Sequence, residues 1–191
     1  MSHAPDRMAD EQPPQRGFHL TAWLAEFVGT LVVLAVGVSA ISIDLGSASP
    51  FRLDPTSPRL LLTGLIFAAT GSVFSVTPLG RLSGAHLNPV VTLAFWSQGK
   101  AHWHDVVGYI SAQFLGAFCG TALARLIWGG QAISVHDGAT RPGAGTAAPI
   151  AVALEAAMTA LVILIVLLMT SGAATARFTP CLLYTSDAAD E

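Results

Sequence analysis

Charge is sparse in this sequence. Asp, Glu, Lys and Arg make up 11% of its 191 residues, against roughly 25% in a soluble domain, too few to cover a water-facing surface. The charges that exist nearly cancel, at a formal net −3. That excludes a basic stripe for nucleic acid and an acidic block for buffering cations. Cysteine is scarcer still: Cys119 lies inside an apolar run and Cys181 near the end of the chain, a pair with neither a disulfide framework nor metal-ligand spacing. No nucleophile with a paired base stands out, so neither an enzyme nor a cofactor is expected. His102 and His104 flank Trp103 and read as an interfacial belt at a membrane edge rather than a catalytic group.

What is abundant is apolar surface. Hydrophobic residues make up 52% of the chain, with a mean hydropathy of +0.59 and 18 glycines. Glycine and alanine fall inside the apolar runs, as helices in lipid allow and soluble helices resist. Four runs are long enough, at about 1.5 Å per residue, to cross a hydrocarbon core of about 30 Å. They are residues 22–43, 60–79, 105–128 and 148–170. Residues 1–21 are expected to be a disordered tail, because MSHAPDRMADEQPPQRGFH has no apolar core and no small-residue cleavage site. In the third run Gly108, Ala112, Gly116, Gly120 and Ala124 recur every four residues, which makes a flat face that another helix can approach closely. Counted on alternate sides, Arg7, Arg16, Arg81, Lys100 and Arg177 face Arg52, Arg59, Arg125 and Arg141, which favours a cytoplasmic amino terminus in a multi-pass protein of the cell membrane.

The segment GRLSGAHLNPVVTLAFWSQGKAHWH, between the second and third runs, is too apolar for an ordinary loop and too short to span. Pro89 following Asn88 suits the first turn of a helix, so Asn88 reads as a cap and residues 88–98 as a half-helix. Irregular backbone at membrane depth survives only where protein buries it or a wet cavity receives it. A re-entrant loop feeding a half-helix meets that rule.

The first and fourth runs also share a pattern. AEFVGT places Glu26 and Thr30 four residues apart, and LEAAMT does the same with Glu155 and Thr159. A carboxyl group inside a span is costly and marks a function or a polar partner. We read the pair as a duplicated unit of three helices and one half-helix, whose odd number of crossings forces an inverted copy. By that spacing the counterpart of Asn88 falls at roughly position 217, beyond Glu191.

SGAHLNPVVTLAF resembles the first signature loop of the aquaporin or major intrinsic protein family, usually SGAHxNPAVT. The flanks agree: AEFVGT in the first run, YISAQFLGAF in the third, LEAAMTALVILIV in the fourth and ARFTP beyond it. The resemblance covers about Trp23 to Pro180. It implies an all-α hourglass bundle built as an inverted repeat, here with four spanning helices and one re-entrant half-helix, in residues 22–180. It further implies a pore for water or small uncharged solutes such as glycerol, and a homotetramer with one pore per subunit. Asn88, Pro89 and Val90 would form the pore motif, with the carbonyls of Gly84, Ala85, His86 and Leu87 lining the path. Glu26 and Glu155, with Thr30, Thr159 and Gln113, would support the loop.

Three departures qualify the resemblance. Val90 stands where the family usually has alanine, adding bulk at the constriction. The selectivity position on the second helix counts to Ala68, where water channels carry Phe and glycerol facilitators carry Trp; a slip of one residue would give it to Phe67. After ARFTP the chain continues CLLYTSDAADE, which has no membrane period, so residues 181–191 are expected to be non-native. The second signature loop and the filter arginine are then missing, and such a chain is expected not to close a pore alone. Two other readings compete: a secondary transporter, which usually needs ionisable groups along its path, and a membrane assembly or scaffold protein, in which the glycine faces would matter and Asn88 would not.

Overall fold

In the computed structural model, residues 18–49, 56–143 and 145–171 are described. The expected tail segments 1–17 and 181–191, the ARFTP motif and Cys181 lie outside them. The elements are α1 (Leu20–Leu45), α2 (Thr56–Ser75), α3 (Pro78–Ser83), α4 (Pro89–Ser97), α5 (Trp103–Trp128), α6 (Gly130–Ser134), a 3-10 turn (His136–Gly138) and α7 (Ala148–Ser171). The fold is all-α, with no strand among the described residues. Segments of α1, α2, α5 and α7 are long and apolar enough to cross a membrane.

Two helix ends depart from the sequence expectation. The first helix begins at Leu20, inside the segment expected to be tail. The second stops at Ser75, short of Leu79, because Pro78 disfavours helical geometry in the residue before it. Thr77 accordingly turns extended, at φ −72° and ψ 160°, and its side chain caps α3 by accepting the Gly80 N–H at 3.1 Å. The chain can therefore change direction inside an apolar stretch without leaving that donor unpaired.

The core is the pairing of α1 with α5, with α2 and α3 against other sides of α1. The small-residue face of α5 is what permits it: Gly108, Ala112, Gly116, Gly120 and Ala124 are all buried. A Cβ built on Gly116 would strike the Phe27 carbonyl oxygen and lie 3.1 Å from the Leu31 nitrogen, and one on Gly120 would strike the Leu31 carbonyl. Backbone thus lies directly on backbone, the close approach that small residues allow between helices in lipid. Gly108 receives the Trp23 ring in the same way, and on the α2 side Gly37 receives the ring of Phe67.

Polar ties close both ends of the bundle. At one end Asp105, in the first turn of α5 where a negative charge meets the positive end of the helix dipole, accepts the Trp23 indole N–H at 3.0 Å and lies 3.0 Å from His19 Nδ1. At the other, Arg59 donates to Asp44 at 2.8 Å and Thr63 to the same carboxylate at 2.9 Å. Arg125, in the last turn of α5, pairs with Asp137 at 2.8 Å. Helix α7 packs chiefly on α4 and is largely exposed.

Replacing Gly116 by Leu should force α1 and α5 apart and cost at least the ~1–3 kcal/mol usual for overpacking. Gly64→Leu, on a face of α2 with nothing within 4 Å, should stay within about 0.5 kcal/mol. Thermal unfolding in detergent, followed by circular dichroism, compares the two; equal losses would mean that the close approach is not what holds the pair.

Candidate functional site

Between α3 and α4 the chain crosses the interior without a helix. Gly84 has φ 80°, Ala85 48° and Leu87 50°. A glycine takes the left-handed region freely, but alanine and leucine pay roughly 1–2 kcal/mol each to be there. Such strain persists only where the surroundings over-determine it. Here the restraint is Glu26, fully buried on α1. Its Oε1 accepts the His86 backbone N–H at 2.9 Å and its Oε2 the Leu87 N–H at 2.7 Å. Two successive main-chain donors that no helix satisfies are met by one carboxylate.

The carboxylate is held in turn from α5. Gln113, 1% exposed, donates from Nε2 to Glu26 Oε2 at 2.8 Å and lies 3.1 Å from the Thr92 hydroxyl. That hydroxyl is 3.2 Å from His86 Nδ1. The His86 ring stacks on Phe95, with centroids 4.8 Å apart. One polar cluster therefore joins α1, α5, the irregular segment and α4. Gly29 leaves room beside it, since a Cβ there would collide with the Leu87 and Phe74 side chains.

Asn88 ends the irregular stretch in extended geometry, φ −153° and ψ 128°, and caps α4. Its Oδ1 accepts the Val90 N–H at 2.8 Å. A backbone N–H can be met only by the oxygen of that amide, so the bond turns the Asn88 N–H₂ outward as a donor. Pro89 occupies the first helical position, where its missing N–H costs nothing. Asn88 and Val90 are both exposed, and the positive end of a nine-residue helix stands behind them.

The remaining expected residues are placed differently. Thr30 is buried one turn beyond Glu26, but its hydroxyl has no hydrogen-bond partner among the described residues. Glu155 is exposed on α7, with Thr159 partly buried, and both line a cleft with Val90 and Arg141. They do not join the Glu26 cluster, and the cleft's other wall includes the non-helical residues Thr140 to Gly143. On α2, Phe67 is turned onto Gly37 while Ala68 is exposed.

Sequence reasoning missed Ser83 and Thr92. Ser83, 1% exposed, accepts the Ala85 N–H on its hydroxyl at 3.1 Å, the local bond expected of a serine before a glycine at a helix end. Thr92 lies four residues beyond Asn88, so one turn of α4 places it beneath the cap. Both signals were present in SGAHLNPVVT.

A family model described as major intrinsic protein matches residues 15–183. The chain is 35% identical over 135 residues to "Aquaporin AqpM" of Methanothermobacter marburgensis, covering 64% of this chain and 54% of that protein. It is 37% identical over 105 residues to "Aquaporin NIP3-1" of Arabidopsis thaliana, covering 55% and 30%. It is 35% identical over 109 residues to the "Probable glycerol uptake facilitator protein" of Thermotoga maritima, covering 57% and 44%. The chain thus spans between about a third and just over half of the length of these relatives.

Glu26→Gln tests the central restraint. One acceptor oxygen becomes a donor amide, leaving a buried N–H of His86, Leu87 or Gln113 without a partner, at about 1–3 kcal/mol. The expected result is a lower thermal midpoint together with faster hydrogen exchange at His86 and Leu87. Unchanged exchange there would show that the carboxylate does not hold the segment.

Proposed function

The chain belongs to the major intrinsic protein family, and on that premise we propose that it forms the Asn88 side of a passive pore for water and small uncharged solutes. The observation that carries this is the division of labour in one side chain: Asn88 Oδ1 is engaged by the Val90 N–H, which leaves the amide N–H₂ to donate to a passing oxygen. The carbonyls of Gly84 to Leu87 supply acceptors on the approach, held by Glu26 through the neighbouring N–H groups. The positive end of α4 behind Asn88 opposes hydronium and metal cations, a device already known for aquaporin-type pores.

The protein is a multi-pass membrane protein of this family. Its finer placement, in the cell membrane with a cytoplasmic amino terminus and as a homotetramer, belongs to the proposal and rests on the arginine and lysine count and on the family resemblance. Ala68 is the better filter candidate of the two on α2. It is exposed, whereas Phe67 packs on Gly37.

Stopped-flow light scattering on proteoliposomes that hold the protein carrying this sequence tests the reading. Water should follow an osmotic step without ion current, and a requirement for a proton gradient would move the protein to the coupled transporters. Asn88→Asp separates capping from donation: aspartate caps as well as asparagine, so the melting temperature should hold. Water flux should nevertheless fall and cation leak rise, because the donor is gone and a negative charge faces the lumen. Ala68→Phe should reduce glycerol flux more than water flux. Equal losses would return Phe67 as the filter residue.

A further inference from the structure

Glu26 grips the irregular segment through its N–H groups. A second grip acts on a carbonyl and comes from another helix. The Tyr109 hydroxyl, on α5, donates to the Ser83 carbonyl oxygen at 2.8 Å. Ser83 is the last residue of α3, and that carbonyl belongs to the peptide leading into Gly84 at φ 80° and Ala85 at 48°. The Tyr109 ring also stands edge-on to the His86 imidazole, with centroids 5.2 Å apart and planes at 65°.

We propose that Tyr109 is a positioning residue for the pore lining: it fixes the Ser83–Gly84 peptide plane, and through it the direction of the carbonyls that follow. A carbonyl at the end of a helix has no partner within that helix. Here it is followed by glycine, the residue that changes backbone region at least cost. The Ser83–Gly84 peptide is therefore the hinge at which the strain in Ala85 and Leu87 can relax. Glu26 holds the N–H groups of His86 and Leu87, which lie beyond that peptide, and so does not bond the carbonyl at its start. The Ser83 hydroxyl bonds the Ala85 N–H and the Glu26 carboxyl, but neither bond is made to the Ser83 carbonyl. Tyr109 holds the hinge from a separate, rigid helix, and it does so with a neutral donor that adds no charge beside the path.

The inference rests on the channel reading for its functional consequence, but its geometry does not. Tyr109→Phe keeps the ring against His86 and removes only the hydroxyl. In the full chain in lipid nanodiscs, hydrogen exchange at Ala85, His86 and Leu87 should rise about fivefold, the effect of losing one neutral hydrogen bond. The thermal midpoint should fall by no more than a few degrees, as losing one such bond implies, and exchange within α1 and α5 should rise less than at residues 85–87. In proteoliposomes the same substitution should shift the ratio of glycerol to water permeability. Unchanged exchange at residues 85–87 overturns the proposal, and so does an equal rise throughout α1 and α5, which would mark a general packing role. An unchanged permeability ratio in protein that conducts overturns its functional half. Absence of flux from the unsubstituted protein counts against the channel reading alone, since the exchange measurement still decides what Tyr109 holds.

Discussion

Two backbone N–H groups with no helical partner, those of His86 and Leu87, set the terms for the rest of this structure. In water they would be solvated at little cost. Deep in a bilayer each unpaired group costs several kcal/mol, so an irregular segment there needs an acceptor brought to it. Glu26 is that acceptor, and a carboxylate is well suited, since it accepts several bonds at once and charge-assisted bonds are the strong ones. The carboxylate in turn needs donors around it, which the two amides and Gln113 supply. Loop and carboxylate satisfy each other, and neither is tolerable in lipid alone.

That mutual dependence explains why α1 and α5 are packed so closely. Glu26 lies on one and Gln113 on the other, and a bond of 2.8 Å between them requires the helix axes to stay near each other. The glycines at 108, 116 and 120 make this possible by admitting Trp23 and the α1 backbone where any Cβ would intrude. Without a hydrophobic driving force between helices in lipid, such packing and the hydrogen bonds it brings together are what remain to hold them. The small-residue face, which from sequence alone reads as ordinary fold packing, is thus one step removed from the irregular segment: it sets the distance across which that segment is supported.

Much of this was legible in the sequence because it is local. The apolar runs, the proline after Asn88, the four-residue recurrence on α5 and the paired Glu and Thr are all patterns along the chain. What was not legible depends on which way a side chain points once the helices are in place. Thr30 repeats the spacing of Thr159 and is buried beside Glu26, yet its hydroxyl bonds to nothing described. Thr92, which no repeat singles out, lies within bonding distance of both Gln113 and His86. Similarly, counting back from Asn88 could not separate Ala68 from Phe67. The structure distinguishes their surroundings, since Phe67 packs on a glycine of α1 while Ala68 is exposed. The break at Pro78 is also written in the sequence, but hydropathy runs through it and masks the extended geometry that proline demands of the residue before it.

Asn88 condenses the same logic into one residue. As the cap of α4 it must give its oxygen to the Val90 N–H, and that structural obligation is what frees the amide nitrogen to act as a donor. A serine or aspartate would cap as well, but serine brings a single hydroxyl and aspartate no donor at all. Asparagine alone among the good caps pairs an acceptor for the helix with a separate, uncharged donor. The left-handed turns before it serve the same end from the other direction. They hold the N–H groups of His86 and Leu87 on Glu26, which turns the carbonyls of the stretch away from that carboxylate. On the proposed channel reading, an uncharged donor following a row of carbonyls suits a molecule that can both donate and accept, which water and small polyols do and bare cations do not.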